Sequence, residues 1–317
     1  MKTILSVDGG GIRGIIPAVI LAEIERRTGR PVADLFDLVA GTSTGGILAL
    51  GLTCPGPDGR PRLTAQDMIG IYIDNATRIF PHEHLSVLKQ AFEDKYSVAG
   101  LESVLESILG TARLSEAVTE VLVIAYEIER REPFFFRRKD ARTGPSKDWL
   151  MRLVARATSA APSFFSPLKL LVADADEYLA LIDGGVFANN PAMCAYAEMA
   201  RDTAREDIVL VSLGTGMTSA RFRYDQAQHW GMLRWAKPLL SLLMEGASTA
   251  IDLQLRQVLG TSDYHRFQAV LDVASLDDAR PETVHLLREA AEKLVVERSD
   301  EIDLVCSKLI AAGAQVD

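Results

Sequence analysis

The chain has 317 residues, 48% of them hydrophobic, and its 43 Asp and Glu outnumber its 34 Lys and Arg, which gives a formal net charge of −9. This length fits one large α/β domain, or one domain with an appendage. The acidic balance argues against a nucleic-acid polymer as partner, because phosphate neutralisation needs clustered Lys and Arg. It also argues against electrostatic docking on anionic membranes, but it leaves hydrophobic contact with a lipid surface open.

Cysteine usage and the N-terminal residues indicate the compartment. Cys54, Cys194 and Cys306 are scattered without metal-ligand spacing, which favours buried thiols in a reducing compartment. The opening residues MKTILSVDGGG are not typical of a secretory signal, and no segment approaches the ~20 apolar residues of a membrane span. We therefore expect a cytoplasmic protein, with peripheral contact at the inner membrane face left open.

Strands and helices alternate along the chain. The hydrophobic pattern predicts strands at 3–7, 36–40, 120–127, 133–137, 178–182 and 208–213. Helices are predicted at 15–27, 47–53 and 148–159, over most of 65–110, after Asn190 and from about 230 onward, with a short β-like segment near 264–271. This alternation predicts an α/β fold with a mainly parallel sheet covered on both faces. Without an evident linker, we expect a single domain over 1–317, with a catalytic core of about 1–217 and a helical C-terminal part of about 218–317.

The first predicted strand leads into a glycine-rich turn, DGGGIRG at 8–14. Consecutive glycines let backbone N–H groups face a ligand, and the adjacent helix N-terminus favours an anion, either a phosphate or the oxyanion of ester cleavage. Gly9, Gly11 and Gly14 also match the G-x-G-x-x-G of dinucleotide-binding turns. That interpretation requires an acidic residue at the end of the second strand, whereas Asp37 lies near its start. We favour an oxyanion hole over a dinucleotide site or a merely structural turn.

The second predicted strand leads into GTSTG at 41–45, a G-x-S-x-G motif that opens a helix. A sharp turn between strand and helix lifts the Ser43 hydroxyl off the end of the sheet, and the flanking glycines remove side chains that would collide with it. The start of the helix favours the developing negative charge. This context predicts a nucleophile, and the alternative is an ordinary serine that caps the helix.

A serine nucleophile needs a base, and the five histidines do not supply an evident one. His82 and His84 flank a glutamate in PHEH, but two histidines and one carboxylate are too few for a zinc site. We expect no metal and no cofactor. Asp183 follows an apolar strand and precedes two glycines, so Ser43 and Asp183 should meet if both end parallel strands. The alternative for Asp183 is an Asx-type turn.

The three motifs together resemble one family, the patatin-like phospholipases, whose pattern is D-G-G-G-x-[RK]-G, then G-x-S-x-G, then D-G-G. Further segments similar to patatins are ATSAAPSFFSP at 157–167, FANNPA at 187–192, VSLGTG at 211–216, HWGMLRWAKPLL at 229–240 and YHRFQ at 264–268. The resemblance covers most of the chain and implies a three-layer α/β/α patatin-like fold. It also implies a lipid acyl hydrolase of the phospholipase A type, which needs no histidine.

Carried onto this sequence, the resemblance assigns roles to individual residues. Ser43 attacks the acyl carbonyl, Asp183 accepts its proton, and the resulting oxyanion is held by the backbone of Gly9, Gly10 and Gly11. Water activated by the same aspartate then releases the fatty acid.

Two further positions are candidates for substrate binding. Arg13 occupies the basic position of the family's loop, where it either steers a phosphate head group or anchors the loop by a salt bridge. Thr44, directly after the nucleophile, is the second candidate.

Alternatives and regulation stay open at this stage. A soluble carboxylesterase or thioesterase without membrane preference, or a non-catalytic lipid-binding protein, would fit the same fold. The compact chain resembles bacterial members, some of which degrade membrane phospholipid in anti-phage defence when a cyclic nucleotide binds. No sequence signature for such a nucleotide is present, and a homo-oligomer is also left open.

The C-terminal third carries one more apolar pattern. Its leucines lie near Trp230 and Trp235 and form either a lipid-facing patch or, as helical spacing more often means, part of the core; they are Leu233, Leu239, Leu242 and Leu243.

Overall fold

The computed structural model describes residues 1–81, 96–173, 176–219, 222–272 and 275–313. The strands in these ranges are β1 (Lys2–Val7), β2 (Leu38–Thr42), β3 (Glu120–Glu127), β4 (Glu132–Arg137), β5 (Leu168–Leu171), β6 (Tyr178–Asp183), β7 (Ile208–Leu213), β8 (Met217–Thr218), β9 (Tyr264–Phe267) and β10 (Val270–Leu271). The α-helices are α1 (Ile15–Thr28), α2 (Val32–Leu35), α3 (Thr44–Thr53), α4 (Ala65–Ile79), α5 (Val98–Leu109), α6 (Arg138–Ala141), α7 (Met151–Thr158), α8 (Gly185–Ala188), α9 (Ala192–Met199), α10 (Tyr224–Ala227), α11 (Met232–Asp263), α12 (Pro281–Glu297) and α13 (Ser299–Gly313).

An eight-stranded sheet forms the centre of the fold, with strand order β5-β6-β3-β2-β1-β7-β9 and with β4 paired to β3. Strands β3, β2, β1, β7 and β9 are mutually parallel. Strands β4 and β6 run antiparallel to β3, and β5 runs antiparallel to β6. The prediction of a mainly parallel sheet is confirmed, but β4 and β6 depart from it.

Alternate residues of the central strands enter two different cores. Leu5, Val39 and Val123 belong to the larger core, which includes buried residues of α1, α3, α4, α5, α12 and α13. Their neighbours Ile4 and Leu122 enter the smaller core, with buried residues of α9 and α11. Parallel strands covered on both faces are apolar at most positions, which explains the mostly apolar sequences of β1 and β2. The three-layer α/β/α fold is therefore confirmed.

The second strand starts two residues later than the sequence predicts. The Phe36 N–H closes the last turn of α2 on the Val32 carbonyl at 3.2 Å. The Asp37 carboxylate accepts hydrogen bonds from the Lys2 ammonium at 2.6 Å and the Thr3 N–H at 2.8 Å. The Asp37 N–H also donates to the Thr3 carbonyl of β1 at 2.9 Å, and the strand itself runs from Leu38 to Thr42, next to the predicted nucleophile.

The C-terminal part contributes to the sheet as well as to the helical layers. The β-like segment predicted near 264–271 is confirmed as β9, which pairs with β7, and β10, which pairs with β8. The core assignment for the leucines of α11 is wrong where the side chains are described, because Leu239, Leu242 and Leu243 are exposed. Buried leucines of this helix lie nearer its C-terminal end, where it packs beside β9. Within the described ranges, no helix combines the length and apolar character needed to cross a membrane.

Candidate active site

The predicted nucleophile lies on a strained turn between β2 and α3. Ser43 has φ 54° and ψ −123°, a region that costs a non-glycine residue about 1–3 kcal/mol. The Ser43 N–H donates to Thr158 Oγ1 at 2.8 Å, and the Ser43 carbonyl accepts from the Ile47 N–H at 3.1 Å. A Cβ atom at either Gly41 or Gly45 would lie 2.1 Å from a carbonyl oxygen. The motif therefore needs glycine at both flanking positions for the close packing of the turn.

Strand register explains why Ser43 and Asp183 meet. Strand β4 pairs along β3 from Leu122 to Glu127, so β2 and β6 must share the opposite edge of β3. On that edge Thr42 pairs with Ile124, and Asp183 pairs with the next residue, Ala125. The C-terminal end of the antiparallel strand β6 therefore lies next to the C-terminal end of β2. The expectation that the two residues meet is right, but its premise of two parallel strands is wrong.

Asp183 is buried, with its side chain facing the nucleophile. Burial raises its pKa to about 6, while hydrogen bonds from the Ser43 hydroxyl and the Gly185 N–H lower it. The Gly185 N–H donates to Asp183 Oδ1 at 2.7 Å. A carboxylate that has lost part of its hydration holds a proton more readily, so it can act as a base near neutral pH.

The glycine-rich turn supplies two available amides rather than three. The Gly9 N–H donates to the Asn189 carbonyl at 2.9 Å, so Gly9 is a structural member of the turn and not an oxyanion donor. The Gly10 and Gly11 N–H groups have no acceptor in the described part of the chain, and both residues line the same pocket as the nucleophile. Gly11 has φ +57°, and a Cβ atom there would lie 2.1 Å from the Leu276 carbonyl oxygen.

Ser43 and Asp183 open into an apolar pocket of about 120 Å³, called the acyl pocket below. Its walls are mostly aliphatic and aromatic side chains from α3, α4 and α5 and from the segment after α7, among them Ile47, Phe80, Leu101, Phe164 and Phe165. An apolar wall next to a serine and a carboxylate suits a hydrocarbon chain attached to a reactive carbonyl.

The fold ties Thr44 to a neighbouring helix. Thr44 lines the acyl pocket, but its hydroxyl is engaged with the Tyr72 hydroxyl of α4, which also contacts the Thr44 carbonyl at 3.2 Å. Burial raises the pKa of Tyr72, so this phenol stays protonated. Thr44 thus holds the first turn of α3 in place and is a pocket wall rather than a free polar contact.

A second, polar cavity of about 450 Å³ adjoins the acyl pocket and shares four lining residues with it. Arg13 lines this polar cavity, and its buried Nε has no hydrogen-bond partner among the described residues. Burial lowers the Arg13 pKa to about 10, and Glu245 and Asp8 oppose this through space. At that pKa the guanidinium is still protonated at neutral pH.

The salt bridge that anchors the glycine-rich turn is formed by a different arginine. Arg266 of β9 makes a bidentate pair with Asp8, at 2.9 Å and 2.6 Å, and its guanidinium also donates to Ser212 and Ser248. Asp8 and Arg266 are both buried. Among the described contacts, the salt bridge beside this turn is therefore made by Arg266 and not by Arg13.

Several contacts of the site were not predicted from the sequence. Thr158 fixes the nucleophile turn, and the Thr215 hydroxyl and the Asn189 side-chain amide both donate to the Gly9 carbonyl, at 2.6 Å and 3.4 Å. All three lie in segments noted for their similarity to patatins, which marked the segments without indicating what each residue does. Their partners are at least 115 positions away in the chain.

Histidine and metal chemistry find no support in the described ranges. None of the residues that line the acyl pocket is histidine, and no cluster of three or more potential metal-binding side chains occurs there. His265, for example, contacts Glu301 and the Ser262 carbonyl away from the pocket. His82 and His84 lie outside the described residues. Cys54, Cys194 and Cys306 are all free thiols.

Comparisons with known proteins agree with these motifs. The family profile described as "Patatin-like phospholipase" matches residues 5–196. Patatin-like protein 2 of Arabidopsis thaliana is 32% identical, over 93% of this chain and 83% of its own length. "Probable inactive patatin-3-Kuras 1" of Solanum tuberosum is also 32% identical, over 93% of this chain and 86% of its own. Among solved structures, VipD from Legionella pneumophila matches with a TM-score of 0.42 and 13% identity, over 93% of this chain and 67% of its own.

Proposed function

Because the chain belongs to the patatin-like phospholipase family, we propose that it is a phospholipase A-type lipid acyl hydrolase with Ser43 and Asp183 as its catalytic dyad. The observation that carries this proposal is the contact between the Ser43 hydroxyl and the buried Asp183 carboxylate inside one apolar pocket. A relative is named as inactive, so the proposal depends on these residues and not on the family alone.

The proposed reaction has two steps. Asp183 takes the proton of the Ser43 hydroxyl while the serine oxygen bonds to the acyl carbonyl carbon, and the Gly10 and Gly11 amides stabilise the resulting oxyanion. The carbonyl re-forms, the bond to the alcohol breaks, and the alcohol leaves with the proton from Asp183. Water then attacks the Ser43 ester, giving its proton to Asp183, which passes a proton to the serine oxygen as the fatty acid departs.

We assign the polar cavity to the phosphate-bearing end of a phospholipid. Its shared wall with the acyl pocket lets one molecule place a chain in the apolar space and a phosphate next to Arg13. The Arg13 Nε is buried without a partner among the described residues, and a guanidinium N–H is a strong donor for phosphate oxygens. A soluble carboxylesterase or thioesterase is the second candidate, and it would leave this cavity unused.

A regulated role is proposed on the resemblance alone. In it, a cyclic nucleotide activates the enzyme during anti-phage defence, and the enzyme degrades phospholipid from the cytoplasm at the inner membrane face. Fatty-acid release from phosphatidylethanolamine vesicles would be measured with and without a panel of cyclic dinucleotides. Release that requires one nucleotide supports this role, and equal release throughout contradicts it. Size-exclusion chromatography with light scattering, run with and without the nucleotide, tests the accompanying expectation of a homo-oligomer.

The central test asks whether Ser43 is a nucleophile. The parent protein would be treated with a fluorophosphonate and digested, and the modified peptide would be identified by mass spectrometry. We expect one adduct, on Ser43, and parallel loss of fatty-acid release from phosphatidylcholine vesicles. A protein that remains unlabelled and hydrolyses neither vesicles nor soluble esters would be a binding protein; hydrolysis of soluble esters alone would favour the esterase.

Hydrolysis should depend on pH through Asp183. The aspartate accepts a proton only when it is ionised, and its pKa is raised to about 6. We therefore expect kcat/KM for a soluble ester to fall as the pH drops through about 6 and to level off above about 7. A profile that stays flat from pH 5 to pH 8, with folding verified by circular dichroism, would contradict Asp183 as the base.

The exposed leucines of α11 should affect hydrolysis of lipids in membranes but not hydrolysis of soluble esters. Met244, on the same helix, lines the acyl pocket, while Leu239 and Leu243 face solvent close to it in sequence. We expect Leu243→Glu to lower fatty-acid release from vesicles by about tenfold or more, because a charged side chain opposes contact with a lipid surface. Release from a soluble short-chain ester should change by less than about twofold, since the pocket itself is intact.

The matched control is Leu253→Glu, an equally exposed leucine farther along the same helix. It should leave both activities unchanged. An equal loss in the two leucine variants would argue against a membrane surface around Leu243.

A further inference from the structure

Asn189 presents a buried acceptor that no contact of the fold uses. Its Oδ1 has no hydrogen-bond partner among the described residues, although its backbone carbonyl and its Nδ2 both bond to Gly9. A buried amide oxygen without a partner destabilises the fold, so its retention needs a reason. Asn189 lines the acyl pocket together with Ser43 and Asp183.

Two glycines locate this oxygen relative to the dyad. A Cβ atom at Gly185 would lie 3.1 Å from Asp183 Oδ1 and 3.3 Å from Asn189 Oδ1. A Cβ atom at Gly9 would lie 2.4 Å from Asn189 Oδ1 and 3.2 Å from the Ser43 Cβ. The two acceptor oxygens therefore border the same small space in front of Gly185, next to the nucleophile.

Asn189 does not act on the base directly. The groups that set the Asp183 pKa are its burial, the Ser43 hydroxyl and the Gly185 N–H, and Asn189 is not among them. Both oxygens are acceptors, and the position that a Cβ of Gly185 would take lies 3.1 Å and 3.3 Å from them, so a donor in front of Gly185 is within reach of both. Water has two O–H donors, whereas the serine hydroxyl has one.

We propose that Asn189 Oδ1 positions the hydrolytic water in the second step of the reaction. One O–H of the water donates to Asn189 and the other to Asp183, which leaves an oxygen lone pair aimed at the acyl carbon on Ser43. The water oxygen bonds to that carbon while its second proton moves to Asp183. When the Ser43–acyl bond breaks, the proton passes from Asp183 to the serine oxygen, and the fatty acid leaves. This assignment rests on the proposed acyl hydrolase function.

The test separates the two steps in Asn189→Ala, using a p-nitrophenyl ester in rapid mixing and intact-protein mass spectrometry. We expect formation of the acyl-enzyme to stay within about threefold of the parent and its breakdown to slow by about 100-fold, as loss of positioning does. The variant should then show a p-nitrophenol burst of one equivalent per protein and carry the acyl group at steady state. Gly185→Ala, whose methyl group would fill the space between the two oxygens, should give the same split.

The matched control is Thr215→Val. The Thr215 hydroxyl donates to the Gly9 carbonyl at 2.6 Å and Asn189 Nδ2 only at 3.4 Å, so Thr215→Val removes the shorter of the two bonds and loosens the glycine-rich turn without removing the acceptor. It should slow both steps together. Equal slowing of both steps in Asn189→Ala would reduce Asn189 to a support of that turn and overturn the proposal, as would unchanged breakdown of the acyl-enzyme. A parent protein that neither hydrolyses esters nor forms an acyl-enzyme would overturn the proposed function itself.

Discussion

Asp183→Asn is expected to lower ester hydrolysis by about 10²- to 10⁴-fold, the range that general-base catalysis contributes. Asparagine has nearly the same shape and can still accept the Gly185 N–H at the position of Oδ1. It cannot take the Ser43 proton, because a neutral amide is not a base at accessible pH. The pH dependence with a midpoint near 6 should also disappear from the residual activity.

The same substitution should stabilise the fold at neutral pH. The pKa of Asp183 is raised from 3.8 to about 6, so the native state binds a proton more tightly than the unfolded chain does. For a carboxyl group shifted in this direction, the stability that the group contributes is fully present below about pH 4. This contribution is lost as the pH rises through about 6. The ionised aspartate then costs about 3 kcal/mol at pH 8, and the asparagine variant avoids this cost.

Thermal unfolding of parent and variant at pH 4 and pH 8 measures the effect. The melting-temperature difference should favour Asp183→Asn clearly at pH 8 and shrink towards pH 4. Ser43→Ala is the control, since it also abolishes hydrolysis but leaves the carboxyl group buried. If Asp183→Asn were less stable than the parent at pH 8, the burial argument would be wrong.

Local features of the site could be predicted because short-range rules determine them. A strand, a G-x-S-x-G turn and a following helix are determined by residues close together in sequence. The position of Ser43 can therefore be predicted from the sequence. The start of β2 could not be predicted from the apolar pattern, because Phe36 closes the last turn of the short helix α2 instead of opening the strand.

The remaining features depend on pairing between distant segments. The antiparallel direction of β6 follows from its place on the edge of β3, and no pattern within residues 178–183 distinguishes it from a parallel strand. Likewise, Gly9 and Gly10 are equivalent in sequence, and only the Asn189 carbonyl, 180 residues away, decides that one amide is occupied. The sequence also allows Arg13 as an anchor of the turn, but Asp8, the acid next to the turn, pairs with Arg266 instead.

Breaking the buried pair of Asp8 and Arg266 by removing one partner should be among the most destabilising single changes in the chain. Their side chains are 2% and 6% exposed, and two hydrogen bonds join them. Arg266→Met removes the partner and leaves a carboxylate buried, which costs about 3–5 kcal/mol in comparable pairs. Because Asp8 directly precedes the glycine-rich turn, hydrolysis should fall as well.

Urea unfolding of Arg266→Met, Arg288→Met and the double variant Asp8→Leu/Arg266→Met tests this expectation. Arg288 pairs with Glu292 at 2.8 Å, but both side chains are about half exposed, so its loss should cost no more than about 1 kcal/mol. The double variant removes both charges and should be more stable than Arg266→Met, since no unpaired carboxylate remains. It should still hydrolyse esters poorly, because the pair fixes the backbone from which the Gly10 and Gly11 amides project. If the double variant regains stability but not activity, the pair serves the geometry of the Gly10 and Gly11 amides. If Arg266→Met and Arg288→Met are equally stable, burial does not make the Asp8–Arg266 pair more sensitive than an exposed one.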